Sequence, residues 1–552
     1  MPVAALRISC LAVLLAGLAV WSPPVAAQSQ PALAGQVSSA EEGAMEGVVV
    51  SAKQEGGTVT VSVVSDDKGL FRFPAAKLAA GRYALAIRAV GYDLKAPVAV
   101  EIAAGKTVGA DLALVKTRNL AGQLTNAEWM LSMPGSDEQK KFLLNCNSCH
   151  TFERIAKSTH DPAEWAAVIQ RMGGYYPGAT PLHPQRLPGQ ERDRTRGSDL
   201  KPITDFMASL NLSGSDKWSY DLETLPRLKG ASTRIVVTEY ALPRPTIEPH
   251  DVMVDGDGMV WFTNFGELFL GRMDPRTGAV KEYPIPELKK GSPTGMLDLE
   301  VGPDGNLWTA LMFQAAIARF DKKTEQFRLY PIPAEWQSKS TQQTFVTPTA
   351  SQVDGKVWVK NSDGDHMLRL DQATGAWEDL GQFHDAKGKR VWGYAIPADS
   401  HNNLYMLDFS AAHVGKIDAK TKQLTVYPTP NPNSRPRRGR TDAQDRVWFA
   451  EYGANAIGVL DTKAEKIREW QLATPWNSPY DVVLDKNEEA WTGGMQTDRI
   501  TRIDTKTNRI IEYQLPHATN IRRVFVDNST SPVTLWAGSN HGASIVKLEP
   551  LE

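Results

Sequence analysis

Cysteine is almost absent from this chain of 552 residues. There are three in all: Cys10, Cys146 and Cys149. That scarcity excludes a disulfide framework and a four-cysteine zinc site. A charge excess of one sign is missing too. Lys and Arg number 61 against 63 Asp and Glu, so there is no basic field for general nucleic-acid binding. No apolar run reaches the roughly 20 residues that a membrane-crossing helix needs. One short run, Cys10 to Val20, follows Arg7 and precedes Val25-Ala26-Ala27. That order is a secretory signal over residues 1–27. The mature protein is expected to be exported, periplasmic or secreted, and not membrane-spanning.

Removal of the signal takes Cys10 with it and leaves two cysteines, both in "CNSCH", 146–150. Structural zinc needs a second pair of soft ligands, and a thioredoxin-like pair needs a βαβ setting; the flanks supply neither. Covalent c-type haem needs only what is present. Cys146 and Cys149 form thioethers with the porphyrin vinyls, and His150 reaches the iron. "SDEQKKFLLNCNSCH" reads as a short amphipathic helix, with Phe142 one turn before Cys146. "DPAEWAAVIQRMGG" reads as a second helix, with Asp161 as N-cap and Pro162 at its first position. "LKPITDFMASLNL" is a third. This order over 128–213 resembles a small class I-type cytochrome c. For the sixth iron position Met172, at the start of a Gly-rich loop, is preferred; Met207, His160 and His183 are the alternatives.

Residues 35–116 alternate short β runs with Gly and Asp turns. Within them "DDKGLFRFPAAKLAAGRYALAIRAVGYDL" resembles the carboxypeptidase regulatory-like family. The matching positions are Asp66 or Asp67, Gly69, Phe71, Phe73, Leu78, Gly81, Tyr83, Leu85 and Gly91-Tyr92. The resemblance implies a small prealbumin-like β-sandwich, related to carbohydrate-binding folds. These positions read as core and turns, and no catalytic constellation accompanies them.

From 233 to 552 the chain repeats. Aromatic anchors fall at Trp261, Trp308, Trp358, Tyr405, Trp448, Trp491 and Trp536, a spacing suited to four-stranded propeller blades. Seven inner signatures, from "LGRMD" to "IVKLE", are followed by only six outer strands. The seventh, "VVTEYALP", stands before the first blade. It is expected to complete the last blade and close a seven-bladed ring. The innermost strand of each blade is expected to run from about eleven residues before the anchor to three after it. His250, Leu297, Thr349, Tyr394, Arg437, Tyr480 and Arg522 then start the inner strands. Asn264, Leu311, Asn361, Asp408, Glu451, Gly494 and Ser539 end them. Most are polar, where strand interiors favour apolar residues. That suggests a ligand site near one mouth or a hydrophilic channel lining.

"IEPHDVMVDGDGMVWFTN", "VGPDGNLWTA" and "DRVWFAEYGANAIGVLD" are similar to the streptogramin B (virginiamycin B) lyase family. The resemblance implies a seven-bladed propeller that opens a cyclic depsipeptide by elimination, with magnesium, at histidine and glutamate residues near the axis. Glu248 and His250 match a family phrase, and Glu451 keeps a glutamate. Asn264 replaces another glutamate, and Arg437 stands where a histidine is wanted. "DGDG", 255–258, reads as a hairpin turn rather than a calcium loop.

The expected fold is therefore mainly β and multidomain: β-sandwich, α-helical cytochrome c-like domain and propeller. Three functions fit these modules. In the first, the haem transfers electrons with a periplasmic redox partner, and the propeller receives a substrate or partner. In the second, the propeller is a C–O lyase on a cyclic ester or glycan-like polymer, with His250 as base, Tyr394 or Tyr480 as acid, and Glu451 and Arg437 beside them. In the third, sandwich and propeller bind a polymer or partner without catalysis.

Overall fold

The computed structural model describes Met1 and residues 30–147, 150–188, 199–210, 218–337, 343–361 and 366–551. The signal-peptide reading and Cys149 lie outside the described residues.

The N-terminal module is two sheets around an apolar core. Gly81–Arg88 shows why it folds: Tyr83 and Leu85 are buried, while Arg82, Ala84 and Ala86 between them are exposed, the period-2 pattern of a half-buried strand. Phe71, Phe73, Leu78 and Tyr92 complete that core. Gly69 sits at φ +71°, and a Cβ there would lie 2.6 Å from the Val37 carbonyl oxygen, so only glycine fits this turn.

Seven blade sheets follow one another from residue 249 onward, with a two-stranded hairpin of Phe383–His384 and Arg390–Val391 between the third and fourth, and the inner strands Pro249–Val254 and Ile521–Asp527 meet to close the ring. The repeat has a packing cause. In five blades the anchor ring stacks on an aromatic of the outer strand: Trp261 on Tyr283, Trp308 on Tyr330, Trp448 on Trp470, Trp491 on Tyr513 and Trp536 on Tyr240. Turn aspartates hold three of the indole N–H groups. Asp255, Asp442 and Asp485 accept from Trp261, Trp448 and Trp491 at 2.7, 2.8 and 2.9 Å. "DGDG" is thus a hairpin turn whose first aspartate anchors a tryptophan.

Three expectations need correction. The segment read as one inner strand is a hairpin of two: Pro249–Val254 is innermost and Val260–Asn264, which carries the anchor, is second. In the third blade Thr344–Thr347 is the inner strand, so Phe345, not Thr349, occupies the position of His250. In the fourth blade the inner strand shrinks to two isolated bridges, Ala395 to Leu407 and Ala398 to Leu404. Pro397 between them has no N–H to offer a ladder.

The closing strand Ile235–Ala241 pairs with Ser544–Pro550, Ile235 opposite Pro550 and Ala241 opposite Ser544. Its other edge pairs with Val59–Val64 of the sandwich. One eight-stranded sheet therefore runs from the seventh blade into the N-terminal module, and the outer edge of that blade is covered. Alternate residues of this strand serve two cores. Val236 packs in the sandwich, while Ile235 and Val237 pack in the seventh blade. Arg88 adds a 2.6 Å ion pair with Asp498 and donates to the Leu515 and His517 carbonyls.

The intervening segment is helical: Asn126–Ser132, Asp137–Lys141, Glu153–Ala156, Pro162–Gly173 and Lys201–Ser209, with a 3-10 turn at Phe142–Asn145. Thr125 with Glu128, Ser136 with Gln139 and Asp161 with Glu164 form capping boxes. Trp129, Leu143, Phe152, Trp165, Phe206 and Met207 are buried together, with Cys146 packed against them. Met172 is not in a loop. It lies in the last turn of Pro162–Gly173 and is 41% exposed.

Candidate functional site

In five blades the inner strand carries a register shift just after its start. Such a bulge opposes two residues to one, so consecutive side chains both reach the interior. His250 and Asp251 show the result, with Nδ1 and Oδ2 2.6 Å apart. The second residues of these pairs build a buried ion network across the channel. Arg523 lies 2.9 Å from Asp481, 3.2 Å from Asp251 and 3.2 Å from Glu300. Arg438 pairs with Asp298. Sequence reasoning stopped at the first residue of each pair and missed this layer. Beyond it a cavity of about 110 Å³ is lined by Glu300, Thr349, Pro397, Arg438, Arg440 and Arg523. That is where Thr349 belongs.

The first residues face the mouth and make a directed hydrogen-bond chain. Burial pushes the His250 imidazole down to about 3, outweighing the Asp251 carboxylate, so the ring is neutral. Its contact with Asp251 is then a hydrogen bond from Nδ1–H rather than an ion pair. Nε2 is left to accept from the Tyr480 hydroxyl at 3.1 Å. Tyr480 in turn accepts from Tyr394, 2.9 Å away. Burial disfavours the Tyr394 phenolate, yet Arg437 and Arg438 win and bring that phenol down to about 8. Tyr480 moves the other way, raised by burial and by Tyr394. The proton that leaves this chain most easily is therefore the one on Tyr394.

His250, Tyr394, Arg437 and Tyr480 are thus brought together. Glu451 is not. It is fully buried, a Cβ at Gly458 would lie 2.7 Å from its Oε1, and its charged neighbour is Glu469 on the outer strand of its own blade. It points across the blade, not to the axis. Burial and Glu469 push its carboxyl up to about 9. Glu248 is also buried, with Oε1 lacking a hydrogen-bond partner, and burial raises it to about 8 against the pull of Arg522. Asn264 accepts from the backbone N–H groups of Glu248 and Gly266, a structural role.

Both glutamates bind a proton in the folded state that they release near 4.5 when unfolded. Stability should therefore fall as pH rises from about 4.5 to 8 or 9. Glu248→Gln with Glu451→Gln should recover on the order of 2–4 kcal/mol at pH 9 and little at pH 4. Urea midpoints across that range measure it, and equal gains at both ends would refute the assignment.

Helical-segment residues cover this mouth. The Tyr176 hydroxyl donates to the Phe265 carbonyl at 2.7 Å, and Gln185 donates to the Gly266 and Thr294 carbonyls. His183 reaches the space beside Gly266 and Glu248; a Cβ on Gly266 would lie 3.6 Å from its Nδ1. Leu144 packs on the cluster of Tyr452, Tyr480 and Met495, together with Tyr394 and Phe409. Asn147 is buried, and its carbonyl accepts from Asn520 at 3.4 Å. "CNSCH" therefore begins at the propeller mouth.

The residues read from the sequence as haem-attaching, where they are described, have the chemistry that group would need. Cys146 is half-buried on the helical core. His150 Nδ1 stands 3.0 Å from the Thr151 carbonyl, which only accepts, so Nδ1 carries the proton and Nε2 the lone pair for iron. The magnesium implied by the lyase resemblance finds no such set. Among the described residues no group of three or more His, Cys, Asp or Glu could hold a metal ion. Glu248 is protonated beside Arg522, and Asn264 offers no charge.

Residues 384–550 match the virginiamycin B lyase family, and residues 32–115 match the carboxypeptidase regulatory-like domain. A structure described as streptogramin B lyase is 25% identical, covering 58% of this chain and 100% of its own, with a TM-score of 0.50. Selenomethionine-substituted virginiamycin B lyase from Staphylococcus aureus is 21% identical, covering 57% of this chain and 99% of its own, with a TM-score of 0.48. No curated protein matches the chain. The chain thus carries a lyase-like propeller and a carboxypeptidase regulatory-like module.

Proposed function

We propose that this protein is an exported mono-haem c-type cytochrome that exchanges electrons with a periplasmic redox partner, and that its lyase-like propeller presents a substrate or partner to the haem. The observation that carries this reading is the contact of Leu144, two residues before Cys146, with the Tyr394–Tyr480 cluster. Bound haem supplies one-electron chemistry at iron. Cys146 and Cys149 hold it, and His150, fixed by Thr151, presents Nε2. Tyr394, Tyr480 and His250 offer a place for a proton at the mouth, and the neutral imidazole keeps that chain oriented. Among the described residues no helix is long and apolar enough to cross a membrane.

Met207 is the better sixth ligand. It is buried with the core on which Cys146 packs, and Met172 is exposed. Met207→Ala should remove the red-region sulfur-to-iron band and lower the midpoint potential, while Met172→Ala leaves both unchanged. Visible spectra and redox titration decide; the reverse pattern restores Met172.

The His250–Tyr480 hydrogen bond also favours a second reading, elimination at the mouth with His250 as base and Tyr480 or Tyr394 as acid. His250 has no exposed surface under the helical segment. Elimination therefore requires that segment to lift, and a chain lacking 128–213 would gain activity. An electron-transfer protein would lose it.

A further inference from the structure

One cation at the mouth has no carboxylate partner among the described residues. Arg437 is ringed by Tyr480, Tyr452, Phe409 and Tyr394, with its guanidinium carbon 4.3, 4.5, 4.9 and 5.2 Å from their centroids. It makes no ion pair among the described residues. Nη1 reaches Met495 Sδ at 3.4 Å, and Nε is buried without a partner. Its neighbours on the same wall differ, since Arg438, Arg440 and Arg523 are each paired with a carboxylate. Aromatic faces offset only part of the cost of withdrawing a guanidinium from water. A second guanidinium, exposed Arg435, lies 4.2 Å over the Phe409 ring.

What covers this cage is the haem-attachment segment, through Leu144. A haem brings two propionates, and a guanidinium fork matches a carboxylate with two parallel hydrogen bonds. We propose that Arg437 is the propeller's receptor for a haem propionate. The inference rests on the covalent-haem reading given above. The haem would be held at one edge by "CNSCH" and at the other by the propeller, and the cation would favour ferrous iron by opposing the positive charge of the ferric state.

The test is optical redox titration of the full haem-bearing chain and of Arg437→Gln, Arg437→Lys and Arg435→Gln, from acid to alkaline pH. Arg437→Gln should shift the ferrous-to-ferric ratio at fixed potential about tenfold toward ferric, and its potential should become pH-dependent below neutrality as the unpaired propionate takes up a proton. Arg437→Lys should recover most of the shift, and exposed Arg435→Gln should give a much smaller one. A pigmented Arg437→Gln with unmoved potential overturns the inference alone. So does an equal shift in Arg435→Gln, which would mark a general field. A third overturning result is sodium acetate perturbing the wild-type spectrum, but not that of Arg437→Gln, with potentials equal; the cage would then serve a free carboxylate. A colourless wild type overturns the haem reading and this inference with it.

Discussion

A chain carrying Cys146→Ala with Cys149→Ala, exported beside the haem-attachment machinery, will be colourless. The wild type will keep its pigment through acid–acetone extraction, because thioether bonds survive conditions that release ligated haem. The expected effect is complete, since the one cysteine left, Cys10, lies in the stretch read as a cleaved signal. His150→Ala should behave differently: the thioethers form, but the iron loses the imidazole that Thr151 orients, and the spectrum changes without the covalent pigment disappearing. Retention of covalent pigment by the double variant would end the cytochrome reading. The apolar contacts of Leu143, Phe152 and Trp165 do not involve Cys146 Sγ chemistry, so the helical segment should still fold.

Val237→Asp should cost about 3–5 kcal/mol and lower the thermal midpoint by about 4–6 °C. Val237 is 1% exposed and packs with Ile521, Val524, Leu535 and Leu548, where no cation waits for a carboxylate. Val236→Asp should do similar damage from the other face, in the sandwich core. Because one strand is ladder-bonded on both sides, sandwich and propeller should melt as one cooperative unit. Calorimetry that resolves two transitions, with Val236→Asp moving only the smaller, would show that the shared sheet does not couple them.

The propeller was legible because its stability is periodic. Five of the seven anchors stack on an outer-strand aromatic and three give their indole N–H to a turn aspartate, so the pattern survives changes elsewhere. The N-terminal core was legible for the same kind of reason, through the alternation around Tyr83 and Leu85. The axis was only half legible. Side chains in a strand alternate, and Glu451 ends a second strand where the next step decides between axis and blade. The bulges that put Asp251 and Arg523 inside leave no mark in composition. Thr349 was misplaced because the turn of its own hairpin is longer: Thr347 pairs with Trp358, where Met253 pairs with Trp261 in the first blade, so a position counted back from the anchor falls in the turn. Tyr176, Gln185 and Leu144 cover the mouth through shape, and shape between distant segments has no sequence period.

The pairing of Ile235 with Pro550 also sets an order of events. The strand made earliest in the propeller has its in-ring partner among the propeller residues made last. Until 544–550 are made, Ile235–Ala241 has only Val59–Val64 as a ladder partner. The N-terminal sandwich covers one edge of this strand and leaves the other, the one that pairs with 544–550, open until those residues arrive. Chains cut short before residue 544 would present that strand unpaired on one side, a signal by which proteases can tell an unfinished ring from a finished one.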